Sequence, residues 1–409
     1  MIISEKNANK KLKNNILSLS QKAKKAKLLN SNVINATAGM FFDDNNNLYS
    51  FDVVKKTLDN LSYEAMFAYS DTVGPDKFKE AIIKWVFADY INSFKDNYIE
   101  VVATPGGSGA LSLTYTQYLK AGDSIILPSV MWETYMVYAK ERDLGYLKYN
   151  LFDENGGFSF NSLKEKIDQL SNQDNVVIII NDPCHNPTGF CMSDEEYDKL
   201  VDLLNSYSRN IVLIMDMAYF DYYSKDGSLI RNRYAKLAKL NENILTIFAF
   251  SGSKTFGLYG LRVGAAICAS KNKEEVDCFK TAFEFSARAN WSSVSTLGME
   301  IVSNIINDEE NLNLFKLELA NVSHSLEERS KAFIEESKRV GLKHLPFKCG
   351  FFVCIPSEHP NEVMNKLHEK DVYIVATRTC LRVAICSINT EECRRLPSLI
   401  KEVIDLFDR

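Results

Sequence analysis

Short apolar runs recur along the chain at 98–103, 124–127, 176–180, 211–215, 244–250 and 263–268. Runs of this length without polar alternation predict strands buried on both faces, and helical spacing fills most of the intervals between them. The alternation predicts an α/β fold with a mostly parallel sheet flanked by helices, and ligands gather at the carboxyl ends of the strands of such a sheet. From about residue 301 the pattern changes to a long charged helix and then to strands at 351–355, 372–375 and 382–386, which predicts a second, smaller α/β lobe. Near the N-terminus, lysines from Lys6 to Lys27 are interleaved with Leu12, Ile16, Leu19, Ala23 and Ala26, the spacing of a solvated amphipathic helix. The expected organisation is therefore an N-terminal segment (1–50) contributing to the small lobe, a large domain (51–303) and a C-terminal small domain (304–409).

The polar residues just past these runs carry the chemistry. After 244–250 come Ser251, Gly252, Ser253 and Lys254, with Arg262 eight residues further on. A desolvated lysine amine can condense with an aldehyde, and an arginine fork grips a phosphate, so the pair suggests a phosphorylated aldehyde cofactor held at both ends, pyridoxal 5'-phosphate. After 211–215 come Asp216, Ala218 and Tyr219. The carboxylate there can pair with a protonated pyridine nitrogen, and Tyr219 can reach the phenolic oxygen of the same ring. After 176–180 comes a Pro- and Gly-rich loop with Asn186, a donor for that oxygen. After 98–103 comes the turn Gly106, Gly107, Ser108 and Gly109, where backbone N–H groups and a helix N-terminus favour an anion. Each segment has an ordinary reading as a turn, a cap or a surface charge; four of matching chemistry at strand ends do not.

On these motifs the chain resembles the class I aminotransferases of the pyridoxal-phosphate fold-type I superfamily, particularly the aspartate and aromatic aminotransferases, from about Val33 to Arg382. The resemblance implies a large domain with a seven-stranded, mostly parallel sheet. It makes Lys254 the residue that condenses with the cofactor and shuttles the substrate proton, with Asp216 on the pyridine nitrogen and Tyr219 and Asn186 on the ring oxygen. Gly107, Ser108, Ser251 and Arg262 would hold the phosphate, joined by Tyr69 from a neighbouring subunit, while Ala218 and Trp132 would cover the ring faces. Arg382 would clamp the substrate α-carboxylate, Arg288 would bind a side-chain carboxylate across a dimer interface, and Gly39 lies where a mobile segment closes over substrate. Trp132 and Asn186 would also face the substrate.

Departures from the family pattern shape the substrate expectation. Tyr135 stands where aspartate aminotransferases often carry a histidine behind the pyridine-pairing aspartate. Met40, Phe42 and Ala68 are apolar near the substrate position, and Ser108 and Ser293 look more like the aromatic branch. With Arg288 present, the implied activity moves an amino group from an aromatic or acidic L-amino acid to a 2-oxo acid such as 2-oxoglutarate. A β-lyase or decarboxylase on the same site, or a non-catalytic cofactor-binding regulator, is the alternative. A nucleotide-binding protein fits poorly, for the Gly106–Gly109 turn lacks the P-loop lysine spacing and leaves Lys254 unexplained.

Composition narrows this little further. The 409 residues, 46% apolar, can bury a large core, and a net charge of −5 gives no global attraction to nucleic acid or acidic membranes. No apolar run approaches the ~18 residues of a membrane span, and the N-terminus has neither the core of a signal peptide nor the arginines of a transit peptide. A cytoplasmic homodimer is expected. The nine cysteines and five histidines show no metal-ligand spacing, so the cysteines, Cys184 included, read as reduced packing thiols and no metal is expected.

Overall fold

The computed structural model describes residues 2–8, 10, 16–224 and 227–407. Its strands in chain order are β1 (Ile34–Asn35), β2 (Tyr98–Thr104), β3 (Ser124–Pro128), β4 (Gly145–Tyr149), β5 (Asn175–Asn181), β6 (Asn210–Asp216), β7 (Ile244–Ser251), β8 (Gly264–Ser270), β9 (Phe352–Pro356), β10 (Val372–Tyr373), β11 (Val375–Ala376) and β12 (Cys380–Ala384). The chain divides into two compact units, one of Leu48–Glu328 with Pro346–Phe352, the other of Met1–Asn47, Arg329–Leu345 and Val353–Arg409. The sequence placed the second break at 303/304. The helix Glu309–Val340 runs through the observed one without a change of pattern, so nothing local marks it.

In the larger unit β2 to β8 form one seven-stranded sheet in the order β2-β8-β7-β6-β5-β3-β4. Pairing is parallel from β7 through β6, β5 and β3 to β4, and antiparallel where β8 meets β7 and β2. All six expected runs are strands of this sheet. The seventh, β4, has a half-exposed edge position and the mixed sequence Gly-Tyr-Leu-Lys-Tyr, so it lacks the continuous apolar run that marks its neighbours. In β7 all eight residues are buried, and β5 and β6 are exposed only at their first residue or so, because helices cover both faces. Leu111, Tyr115, Ile125, Val177, Ile214, Ile247 and Phe283 are among the residues that fill one of these interfaces.

β8 runs against its neighbours because the connection 252–263 turns the chain straight back, without the crossover helix that a parallel partner requires. Its first residue allows an unusually close approach. A Cβ on Gly264 would stand 2.5 Å from the Phe250 carbonyl oxygen and 2.6 Å from the Gly106 backbone, so bare backbone meets bare backbone there.

In the smaller unit β1 pairs in parallel with β10, and β11, β12 and β9 form a three-stranded sheet in that order. Arg329, 1% exposed, organises the unit's interior. Its guanidinium donates to Cys386 O, Phe42 O and Asp44 Oδ1 at 3.1, 2.9 and 2.8 Å and lies over the Phe41 ring. The N-terminal helix is Ile16–Leu29 with Ala23 buried; Leu12 lies outside the described residues. The expectation of nine unlinked thiols is corrected at one pair. Cys354 and Cys380 form a disulfide, because β9 and β12 are sheet neighbours although 26 residues separate the two cysteines. Cys184, Cys191 and Cys349 converge within the larger unit.

The Gly264 contact gives a stability prediction. Gly264→Ala should lower unfolding stability by about 2–3 kcal/mol, since a methyl must displace main chain rather than a side-chain tip. Gly260→Ala, with open space around it, should change stability by no more than about 0.5 kcal/mol in the same urea titration. Equal midpoints for the two variants would refute the close approach.

Candidate active site

Lys254 lies in the short helix Gly252–Thr255 that β7 runs into, and the Ser251 hydroxyl caps that helix by accepting from the Ser253 N–H. The turn is fixed from below. Asp221, fully buried, accepts from Thr255 Oγ1 at 2.7 Å and from Trp85 Nε1 at 3.2 Å, and pairs with Arg231 Nη2 at 3.3 Å. Tyr222 Oη donates to the Lys254 carbonyl at 2.6 Å. The Lys254 amine is left facing two rings, with Nζ 5.7 Å from the centroid of Tyr219 and 5.8 Å from that of Tyr259.

Asp216 ends β6, one strand over. Burial pushes its carboxyl pKa up, opposed by a hydrogen bond from Tyr135, by the Ala218 N–H and by the charge of Lys254. Tyr135 Oη donates to Oδ2 at 2.6 Å and the Ala218 N–H to Oδ1 at 3.2 Å. The tyrosine thus takes the position behind the carboxylate that the sequence comparison marked as a departure, and it supplies a donor there. Asn181, at the end of β5, binds both neighbours: its Nδ2 donates to Asp216 O at 2.7 Å and its Oδ1 accepts from the Asn186 N–H at 2.8 Å. Asn186 Nδ2 in turn lies 3.5 Å from Tyr219 Oη. His185, between Cys184 and Asn186, is buried with Nδ1 2.9 Å from Thr188 Oγ1, and burial pulls its pKa down to about 3, so it stays neutral.

The glycine turn opens the helix Gly106–Tyr118. Arg262 lies directly on it, for a Cβ on Gly106 would stand 2.7 Å from the guanidinium Nη2, and a Cβ on Gly107 would stand 3.5 Å from the Ser251 side chain. Arg262 Nη1 donates to Ser253 Oγ at 2.9 Å and to Tyr259 O at 3.0 Å. The Tyr138 pKa is raised chiefly by burial, opposed by the nearby Ser108 hydroxyl. Trp132 packs edge-on against Tyr135 and Tyr138.

The larger unit therefore brings together Lys254, Asp216, Ala218, Tyr219, Asn186, Gly107, Ser108, Trp132, Ser251 and Arg262. It places Tyr69 (96% exposed) and Arg288 on its surface, where Arg288 Nη1 donates to Ser292 Oγ at 2.6 Å. Gly39 and Arg382 belong to the smaller unit, where the buried Arg382 donates to Thr37 O at 2.7 Å. The sequence did not single out Asn181, Asp221, Tyr222, Tyr259 or Tyr138. Asn181 alone had a signal, as a polar residue closing an apolar strand.

The donor set fits pyridoxal phosphate on its own terms. A helix N-terminus whose first N–H groups lack intrahelical acceptors, with an arginine laid on its bare glycine, suits a phosphate. A buried carboxylate suits a pyridinium, a tyrosine–asparagine pair suits a phenolic oxygen, and a lysine amine suits an aldehyde. Fold and donors together define a pyridoxal-phosphate-dependent transferase. The chain belongs to the family of class I and II aminotransferases, whose family model matches residues 31–400. A crystal structure of an aminotransferase from Anaerococcus prevotii superposes with a TM-score of 0.94 at 28% identity, covering 99% of this chain and 100% of that one. The tyrosine aminotransferase of Klebsiella pneumoniae is 26% identical, covering 68% of this chain and 70% of its own. The mitochondrial aspartate aminotransferase of Dictyostelium discoideum is 23% identical over 90% of this chain and 86% of its own. The protein is thus an aminotransferase, and its substrates are small amino and 2-oxo acids. Among the described residues, no helix is long and apolar enough to cross a membrane.

The Asp216 environment predicts a pH effect. A charge-assisted hydrogen bond of about 1.5–3 kcal/mol corresponds to roughly one to two pKa units. Tyr135→Phe removes a donor that lowers a pKa already raised by burial, so the carboxyl must hold its proton to still higher pH. The acid-side loss of pyridoxal phosphate affinity, followed by fluorescence quenching, should move up in pH by about that amount. Superimposable profiles for Tyr135→Phe and wild type would contradict this role.

Proposed function

We propose that Lys254, Asp216 and Tyr219 are the catalytic residues of a transamination between an aromatic or acidic L-amino acid and a 2-oxo acid, with 2-oxoglutarate as acceptor. The observation that carries the assignment is the lysine amine and the buried, hydrogen-bonded carboxylate at the ends of neighbouring strands β7 and β6. Bound pyridoxal phosphate supplies an electron sink for the pair left on the substrate Cα. Lys254 Nζ takes the proton from that carbon and later returns a proton across the reacting system, a role suited by the short helix that Asp221 and Tyr222 hold in place. Asp216 keeps a positive charge on the ring nitrogen, with Tyr135 and the Ala218 N–H holding the carboxylate ionised. Asn186 and Tyr219 orient the ring oxygen, and Trp132 and Ala218 exclude water from its faces. Gly107, Ser108, Ser251 and Arg262 bind the phosphate.

Arg382 is the proposed clamp for the α-carboxylate, with Gly39 on the closing segment. Its bidentate fork suits a carboxylate where lysine would not. Arg288 is the proposed partner for an acidic side chain from a second subunit. A homodimer is supported by the exposed aromatic residues just before Tyr69: Tyr63 and Phe67, 78% and 76% exposed, stack on each other at the surface, as an apolar interface patch would. A cytoplasmic location is part of the same reading.

Two measurements test it. Lys254→Ala should reduce amino-group transfer by several orders of magnitude while retaining phosphate-driven cofactor binding. Wild type that forms product from a single amino acid without any 2-oxo acid would instead point to a lyase or decarboxylase.

Arg288→Ala should cut kcat/KM for aspartate about ten- to hundred-fold, the worth of a charge-assisted pair, and leave phenylalanine nearly unchanged in single half-reactions. Mixing it with Lys254→Ala should restore part of the aspartate activity through hybrid dimers. Equal losses for both amino acids, or no recovery after confirmed subunit exchange, would remove Arg288 from the pocket.

A further inference from the structure

Three sulfurs far apart in sequence meet inside the larger unit. Cys349 Sγ lies 3.6 Å from Cys184 Sγ and 3.4 Å from Cys191 Sγ, and the three fall within 4.8 Å of one another. Among the described residues this is the only group of three His, Cys, Asp or Glu side chains gathered so closely. The sulfurs come from two segments, the loop between β5 and the helix Asp194–Asn205, and the stretch 346–352.

Several features go beyond the packing of small apolar side chains. The backbone N–H of Cys184 points at Cys191 Sγ from 3.1 Å, the kind of donor that supports a metal-bound thiolate. The Gly189 carbonyl accepts from both the Lys348 and Cys349 N–H groups, at 2.8 and 3.1 Å, which fastens one segment to the other. Gly350 has φ +112°, and a Cβ there would stand 2.6 Å from Cys184 Cβ, so only glycine lets the chain deliver Cys349 this close. Thiolates sharing one cation at about 2.3 Å stand about 3.8–4.0 Å apart, so the observed spacing needs only small adjustments. Two thiols suffice for a disulfide; a third within reach of both is what a coordination site requires.

We propose that Cys184, Cys191 and Cys349 form a three-thiolate site for a thiophilic d10 cation such as Zn2+ or Cu(I). Sulfur selects such ions over the hard cations that prefer oxygen, and each thiol releases its proton to solvent as it ligates. The site is distinct from the cofactor residues but mechanically close to them. Cys184 is two residues from Asn186, and Cys349 is followed by Phe351 and Phe352, whose rings pack on Tyr219 at 5.2 and 5.7 Å. A bound cation ties together the two segments that hold Tyr219 in place.

Titrating the reduced, full-length protein anaerobically with Cd2+ tests this. One Cd2+ per chain should bind with a thiolate-to-metal charge-transfer band in the ultraviolet, and Cd2+ should displace pre-bound Zn2+. Cys191→Ser and Cys349→Ser should each raise the Kd at least tenfold, while the exposed Cys278→Ser should bind as wild type does. A titration of Cys191→Ser indistinguishable from wild type overturns the proposal. Should the variants fail to fold, X-ray absorption of Zn2+-loaded wild type decides: three sulfur scatterers at about 2.3 Å are expected, and a nitrogen–oxygen shell without sulfur overturns the site. A Cys191–Cys349 disulfide recovered from protein kept with excess Zn2+ also overturns it.

Discussion

A carboxylate with almost no access to water sits at the end of a central strand, and much of the surrounding structure serves to keep it charged. Burial raises the Asp216 pKa and so favours the neutral acid, which cannot sustain a cation on a ring nitrogen. Tyr135 and the Ala218 N–H offset that tendency with direct donors, and Lys254 does so through its charge. Asn181 fixes the backbone at the same point by holding the Asp216 carbonyl and the Asn186 N–H together. The parallel pairing of β5, β6 and β7 makes this possible, because it brings the last residues of all three strands to the same edge of the sheet.

The lysine is treated differently. Its helix is too short to be stable by itself, and its position depends on contacts beneath it. Asp221 is the centre of that support, satisfied by Thr255, Trp85 and Arg231, while Arg231 stacks on the rings of Trp85 and Phe220. Removing one partner of such a buried ion pair costs more than the pair contributes, since the remaining charge has nowhere to go. The network therefore acts on the proposed chemistry only by fixing where the amine stands.

The sheet was legible because its strands are buried on both faces, which leaves uninterrupted apolar runs, and the candidate site was legible because its residues follow those runs directly. Lys254, Asp216 and Asn186 all fall just past such runs, and the structure gathers them. β4 was not legible, since an edge strand with exposed residues has no such run. Tyr138, Tyr222 and Tyr259 were hidden because aromatic residues are ordinary core components, and only the fold shows which ring faces the amine. The Cys354–Cys380 disulfide was missed for a related reason: spacing was read along the chain, whereas these two meet across a sheet. The convergence of Cys349 with Cys184 was hidden in the same way, because Cys349 lies in a segment more than a hundred residues downstream.

The reversed direction of β8 has a kinetic consequence. Lys254 and Arg262 sit in one short connection between antiparallel neighbours, so the loop that brings them together is small. Arg262 meets the Gly106 turn only after about 150 intervening residues are closed, which costs about 2 kcal/mol more chain entropy than closing about a dozen. The hairpin carrying the amine and the guanidinium is thus the inexpensive part of the site to assemble. The glycine turn joins through contacts of high sequence separation, which form slowly and late. A nascent chain can hold the lysine–arginine half before the pocket as a whole exists.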